Sequence, residues 1–231
     1  VEHNLVEVQG LFLRKEKPLL SPRKLSKDFQ TNIALLGLEE RVTQEHFAQK
    51  VQEFLQGEDI SFIQAQTGIG TTYGYLLPAL SLENEGGILL SVPTKILQNQ
   101  VIQEEAKRLE EIFHTSIHSL KGPQNYLKLD NFYKVLHRPE SNRLFTRFKM
   151  QVLIWLTETE TGDLDEIGQL YRYQHFLAEL VHDGKLSKKS LFISEDFWQR
   201  SQDRAKSSHL LLTNHAYLVT RLEDAPEFVH N

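Results

Sequence analysis

The stretch FIQAQTGIGTTYGYLLPAL, residues 62–80, constrains this chain more than any other. An apolar run enters a turn holding Gly68 and Gly70, and a helix-forming run comes next. The first N–H groups of a helix have no partner within it, so strand, glycine-rich turn and helix together make a cradle for phosphate. The same three pieces also serve as a tight connection without any ligand, and the stretch alone leaves both readings open.

Around this stretch the chain alternates between two patterns. ISFIQA (residues 60–65) reads as a buried strand and TTYGYLLPALSL as the next helix, irregular at Pro78, since proline offers no N–H to the turn before it. GGILLSVP is a second buried strand, opened by Gly86-Gly87 and closed by Pro93. Residues 95–113 form an amphipathic helix with Leu97, Val101, Leu109 and Phe113 on one stripe, and TSIHSL is a third short strand. A helix upstream carries Phe47, Ala48, Val51, Phe54 and Leu55 on one face and stops at Gly57. Strands alternating with helices at this spacing predict an α/β fold with a parallel sheet and right-handed crossovers.

The alternation breaks at Lys121-Gly122-Pro123, and residues 122–205 are rich in helix formers and aromatics. SSHLLLTNHAYLV then restores the buried-strand pattern. The expected organisation is therefore a linker or tail of a preceding domain over 1–30, a sheet domain over 31–121 and 206–231, and a helical insertion over 122–205.

Composition narrows the function classes. Of the 231 residues, 40% are apolar and 25% charged, the balance of an ordinary globular chain. No apolar run approaches the roughly 20 residues of a membrane span, and no signal peptide opens the chain, so the expected compartment is the cytoplasm. A net charge of −5 gives no general basic footprint for nucleic acid and leaves room only for a local one. Cysteine is absent, which excludes disulfides, thiolate-bound zinc and thiolate-bound iron–sulfur clusters. The single methionine, Met150, is internal, so the chain reads as a piece of a longer protein.

Three candidate sites stand out. At the loop, Thr67, Gly68, Ile69 and Gly70 are placed to surround phosphate and Thr72 to meet a nucleotide-bound Mg²⁺, but Thr71 stands where the phosphate-loop pattern has lysine and Ala65 where it has its first glycine. Upstream, RVTQEHF offers Arg41 and Gln44; an amide can pair with adenine N6 and N7, and the bland alternative is an exposed helix start. In SVPTKILQNQ, residues Thr94, Lys95 and Gln98 fall at the carboxyl edge of the sheet, where open α/β sheets bind ligands. They suit a nucleic-acid phosphate, or Thr94 is a plain helix cap. His114 and His118 lack a third ligand for zinc, and TETETGDLDE, residues 157–166, lacks the ligand order of a calcium loop and reads as a solvated acidic turn.

Taken in order, RVTQEHFA, AQTGIGTTYGYLLPAL, SVPTKILQNQ, LKGPQNYLKL, WLTETETGDLDE and LLLTNHAYLV resemble the first motor domain of the DinG family, bacterial relatives of the XPD helicases, over about Arg41 to Val219. The resemblance implies a P-loop, RecA-like domain with helices on both faces of its sheet. It implies ATP or ADP with Mg²⁺ at the loop and adenine at Arg41 and Gln44. Single-stranded DNA is expected along Thr94, Lys95 and Gln98 and near Asn125 and Tyr126. Lys128 occupies the place of the first cysteine of the iron–sulfur insertion found in many members, so this chain resembles a cluster-less branch, often preceded by an exonuclease domain. The resemblance places the acidic DEAH-like motif and the second motor domain in an expected continuation after Asn231. The Thr71 replacement implies weak or lost hydrolysis. The alternatives are a working helicase using another cation, Arg41 among them, and a non-motor module that holds single-stranded DNA for a fused nuclease. The aromatics of the insertion, Tyr126 first among them, either stack on bases or fill the insertion's own core.

Overall fold

The computed structural model describes residues 4–18, 20–57, 59–82 and 87–224. Gly86 and residues 225–231 of the expected sheet domain lie outside the described residues. The chain opens with strands β1 (Leu5–Val8) and β2 (Leu11–Arg14), then helices α1 (Phe29–Leu35), α2 (Val42–Leu55) and α3 (Thr71–Leu80). Strand β3 (Ile88–Val92), helices α4 (Lys95–Val101) and α5 (Lys107–Phe113) and strand β4 (Ile117–Ser119) come next. Helices α6 (Leu129–His137), α7 (Arg143–Leu156), α8 (Gln174–Leu177) and α9 (Phe197–Ser207) lead to strand β5 (Leu210–Asn214) and helix α10 (His215–Asp224). Two compact units result, residues 19–120 with 205–231, and residues 1–18 with 121–204.

The first unit is α/β. Its sheet has the order β3-β5-β4 with both pairs parallel, Ile88 and Ile117 flanking Leu210 and Leu90 and Ser119 flanking Leu212. The central strand thus comes from the far side of the 120–209 excursion. Leu210 and Leu212 are buried with Val92 and Ile117, and Leu76, Leu77, Val101, Leu109 and Phe113 from the flanking helices complete the core. Burying each such side chain contributes roughly 1.5–3 kcal/mol.

Two details of this unit depart from the periodicity. Residues 95–113 are continuous but carry a π-helical turn at Ile102–Ala106 between α4 and α5. The buried positions Val101, Ala106 and Leu109 explain it, because the five-residue step from Val101 to Ala106 suits an i→i+5 turn. Pro78 does not interrupt α3, which runs through to Leu80 with Pro78 buried near its end.

The expected strand at 60–65 is not formed. Residues 60–66 have no ladder partner among the described residues, and Ile60 and Phe62 are 88% and 92% exposed. An apolar run becomes a strand only when a neighbour takes its N–H and C=O groups, and here β3, β4 and β5 pair among themselves.

The second unit is mostly helical. Its opening stretch, read from the sequence as linker, holds a β1–β2 hairpin turning at Gln9-Gly10, both with positive φ. Leu11 and Leu13 point into the unit's core while Phe12 between them is exposed, the alternation of a half-buried strand. The aromatics fill that core. Tyr126, Phe132, Phe148, Phe192 and Phe197 are all but inaccessible, and Phe145 and Phe148 stack on Phe176 and Tyr173 at 4.2 and 4.3 Å. His182 is buried, accepts from Gly184 N–H at Nδ1 and meets Asp196 at Nε2 over 3.0 Å, which places its proton on Nε2. Asp196 in turn accepts from Gln199 N–H at the start of α9.

Candidate nucleotide and nucleic-acid site

The loop between residue 66 and α3 takes its shape from two glycines. Gly68 and Gly70 have φ of +85° and +82°, a left-handed conformation that side chains disfavour. Gly70 occupies the N-cap position of α3, so Thr71 is the first helical residue and no side chain makes a capping hydrogen bond there. Thr67 and Gly68 are exposed and Ile69 to Thr72 partly so. Residues 66–72 contain no cation. Burial raises the pKa of the Tyr75 phenol above its ordinary value, and the neighbouring Thr72 hydroxyl opposes the rise.

Helix α2 holds the loop from beneath. Gln44 and Ala48 lie on its buried face, and Gln44 Nε2 donates to Gly70 O at 2.7 Å. The helices approach so closely that a Cβ on Gly74 would lie 2.6 Å from Phe47 Cδ1. The structure therefore brings Gln44 together with Gly70, but the amide donor expected to read adenine is spent on the loop itself. Arg41 sits exposed at the cap of α2; its carbonyl accepts from Glu45 N–H, and its guanidinium has no partner among the described residues. As a phosphate cradle the residues fit in their backbone, which offers two left-handed glycines and an uncapped helix start. They lack the side-chain charge.

At the carboxyl edge of the sheet, Thr94 Oγ1 accepts from Leu97 N–H at 3.1 Å and caps α4, with Lys95 exposed beside it. The next strand over ends at the same edge, where Asn214 Oδ1 accepts from Tyr217 N–H and caps α10. His215 Nδ1 lies 2.8 Å from Ser91 Oγ and joins the ends of β3 and β5. Sequence reasoning missed this pair. The signal was present in TNHAYLV, which puts a histidine directly after a strand bound for the same edge as SVPTK.

Gln98 corrects the expectation of a nucleic-acid contact. It is fully buried, its Nε2 reaches Ser119 Oγ, Leu120 O and Leu212 O at 3.0, 3.0 and 3.2 Å, and its Oε1 accepts from Asn214 Nδ2 at 2.9 Å. Its side chain points inward between β4 and β5, where a buried amide must be satisfied. It braces the sheet.

In the helical unit, Asn125 and Tyr126 are likewise interior. Asn125 Nδ2 donates to Gly122 O, and Tyr126, 2% exposed, has its hydroxyl 2.9 Å from Ser201 Oγ. Tyr126 is a core side chain and is not placed to stack on a base. The acidic stretch is also no solvated turn. Lys121, 1% exposed, donates from Nζ to Asp163 and, at 2.9 Å, to Asp165. Glu160 pairs with Arg14 and Lys17. Glu166 accepts from Trp155 Nε1 and from the hydroxyls of Thr159 and Thr161. Burial raises the Asp163 pKa above its ordinary value, an effect larger than the opposing pull of Lys121. Two blocks of the sequence, LKGPQNYLKL and TETETGDLDE, are thus one cross-braced structure. Lys128 pairs with Asp183 at 2.5 Å, and that hydrogen bond holds the Asp183 carboxyl below its ordinary pKa.

His114 ends α5 in a left-handed conformation and His118 lies on β4. Among the described residues no three His, Cys, Asp or Glu side chains converge on a metal position, and no helix is long and apolar enough to cross a membrane.

A family model described as DEAD/DEAH box helicase matches residues 44–160. The chain belongs to that family. Its curated relatives place it among the DinG-like members. The 3'-5' exonuclease DinG of Bacillus subtilis (strain 168) is 31% identical over 191 residues, 80% of this chain and 20% of that protein. The 3'-5' exonuclease DinG of Staphylococcus saprophyticus is 29% identical over 197 residues, 82% and 21% of the two chains. That of Staphylococcus aureus (strain USA300) is 27% identical over 188 residues, 80% and 20%. This DinG-like chain spans about a fifth of the length of the relatives it matches. Its parallel sheet flanked by helices is the fold of a RecA-like helicase domain.

Proposed function

We propose that this chain is part of the first motor domain of a DinG-like helicase, with a nucleotide cradle at residues 67–72 and a single-stranded DNA contact at Thr94 and Lys95. The observation that supports it most directly is the loop: Gly68 and Gly70 left-handed, α3 opening uncapped at Thr71, and Gln44 fastened to Gly70 O. ATP with Mg²⁺ supplies the phosphoanhydride when bound. The chain's own part is to offer backbone N–H groups to the phosphates and the Thr72 hydroxyl on the Mg²⁺ side.

Thr71 decides the rest. A charge-assisted hydrogen bond contributes about 1.5–3 kcal/mol, and removing one preorganised donor to a developing charge costs roughly 10²–10³ in rate. Binding through the backbone therefore outlasts efficient hydrolysis. In the parent protein an exonuclease domain and a second motor domain accompany this segment, and the compartment is the cytoplasm. The exonuclease name of the relatives favours a second reading, a module that grips single-stranded DNA for a fused nuclease without motor activity.

Titration calorimetry of ATP and ADP with Mg²⁺, on the chain and on Thr71→Lys, tests the proposal. The lysine variant is expected to bind at least about tenfold more tightly, the equivalent of roughly 1.4 kcal/mol. Equal affinities would remove Thr71 as the limiting feature. Heat from neither protein would leave the non-motor reading.

A further inference from the structure

The solvent face of α7 carries a stripe that neither the fold nor the proposed site uses. Arg143, Arg147, Met150 and Ile154 succeed one another at helical spacing, all exposed, the last two at 60% and 63%. Together with residues 166–168 they border a groove of about 560 Å³. Neither guanidinium has a hydrogen bond or ion pair among the described residues. Glu166, the carboxylate on the groove wall, accepts from Trp155, Thr159 and Thr161 and pairs with neither arginine among the described residues. Gln151 Nε2 bonds Gly168 O at 3.3 Å and ties the wall to the helix. Glu158 closes the far end.

We propose that this groove docks an amphipathic, acidic helical segment of a protein partner. Its carboxylates would meet Arg143 and Arg147, and its apolar side chains would cover Met150 and Ile154. Three features select this occupant. Two guanidiniums one turn apart, without a partner among the described residues, suit carboxylates on successive turns of a facing helix, and arginine is the side chain that binds them in bidentate fashion. The stripe from Arg143 to Ile154 is about 17 Å long at 1.5 Å per residue, enough for about three turns of a partner lying in the groove. The charge runs from cationic at one end to anionic at Glu158, which orients the partner and would repel a phosphate chain running the whole length. Nucleic acid is the weaker fit for a further reason. Stacking requires an accessible aromatic face, and Trp155, the aromatic lining the groove, is 8% exposed with its Nε1 held by Glu166.

Met150 is the only methionine in the chain, so ¹³C-methyl methionine labelling gives a single resonance from the centre of the groove. The probe is a synthetic amphipathic peptide of about twelve residues, with two glutamates on successive turns near one end and leucine and phenylalanine on the adjoining face at helical spacing. The controls are the same peptide with lysines for glutamates, and oligothymidylate. The acidic peptide is expected to shift the Met150 resonance in a saturable way. Arg143→Glu with Arg147→Glu, and separately Ile154→Ser, are expected to weaken it at least tenfold without altering the fold, since all three side chains are exposed. An unmoved Met150 resonance at millimolar acidic peptide, or equal binding of the lysine peptide, overturns the proposal. Oligothymidylate shifting Met150 in an arginine-dependent way also overturns it, in favour of a nucleic-acid groove.

Discussion

A methyl group on Gly70 would meet two separate penalties. The backbone conformation, φ +82°, costs an L-residue roughly 1–2 kcal/mol, and the new Cβ would lie 2.2 Å from Gln44 Nε2. Gly68 has nearly the same φ and nothing within 4 Å of an added Cβ, so it isolates the backbone penalty. Gly68→Ala is therefore expected to lower thermal stability modestly and Gly70→Ala to lower it more. The excess should vanish when Gly70→Ala is compared with Gly70 in a Gln44→Ala background, because the colliding amide is gone and its bond to Gly70 O has already been lost. Melting curves of the wild type and of the four variants check this. A Gly70→Ala cost unchanged in the Gln44→Ala background would show that Gln44 does not hold the loop.

At the scale of elements, Lys121, Asp163 and Asp165 join the start of the helical excursion to the turn after α7. Removing one member of a buried charge cluster costs about 3–5 kcal/mol, because the others stay buried without compensation. Lys121→Met is expected to show a loss of this order near neutral pH in denaturant unfolding. The pH dependence has a definite sign. Burial already raises the Asp163 pKa above 3.8, and loss of Lys121 raises it further. A carboxyl raised in the folded state keeps its proton there after the unfolded chain has released it, so its contribution to stability falls as pH rises through that window. The variant should regain stability as the pH is lowered toward 3.8, and a deficit that stays constant would mean the carboxylates are solvated. The sequence made only part of this legible. Strands β3 and β5 were readable because ILLSV and LLLTN are continuous apolar runs that pair as parallel strands. Residues 60–66 look the same in sequence and pair with nothing, since periodicity reports what a segment can bury and not whether a neighbour accepts its backbone. The inward course of Gln98 arises from packing across elements, which no local pattern encodes, while the π turn at 102–106 follows the five-residue step from Val101 to Ala106. The loop glycines were legible because their role is local. The Gln44–Gly70 bond, twenty-six residues apart, and the Lys121 cluster were not.

For the molecule as a whole, a net charge of −5 means that any hold on DNA must come from a few cations against an unfavourable background. That makes salt the informative variable. Each phosphate contact on a single strand adds about 0.7 to the slope of log affinity against log salt. Lys95 is exposed at the sheet edge beside Thr94, and Gln98, three residues on, is buried in hydrogen bonds. Lys95→Ala is therefore expected to weaken oligothymidylate binding and reduce the salt slope by about 0.7, with little change in melting temperature. Gln98→Ala should do the reverse. It strands Asn214 Nδ2 and Leu120 O, while Leu212 O keeps the Leu120 N–H, lowers stability by about 1–3 kcal/mol, and leaves the slope of the folded protein unchanged. Fluorescence anisotropy across a salt series, on proteins verified as folded, separates the two. An unchanged slope in Lys95→Ala would remove this edge from the DNA path, and a slope reduced by Arg143→Glu would move that path to α7. Only the pattern in which Lys95 alters the slope and Arg143 does not is compatible with two surfaces of different purpose on one acidic chain.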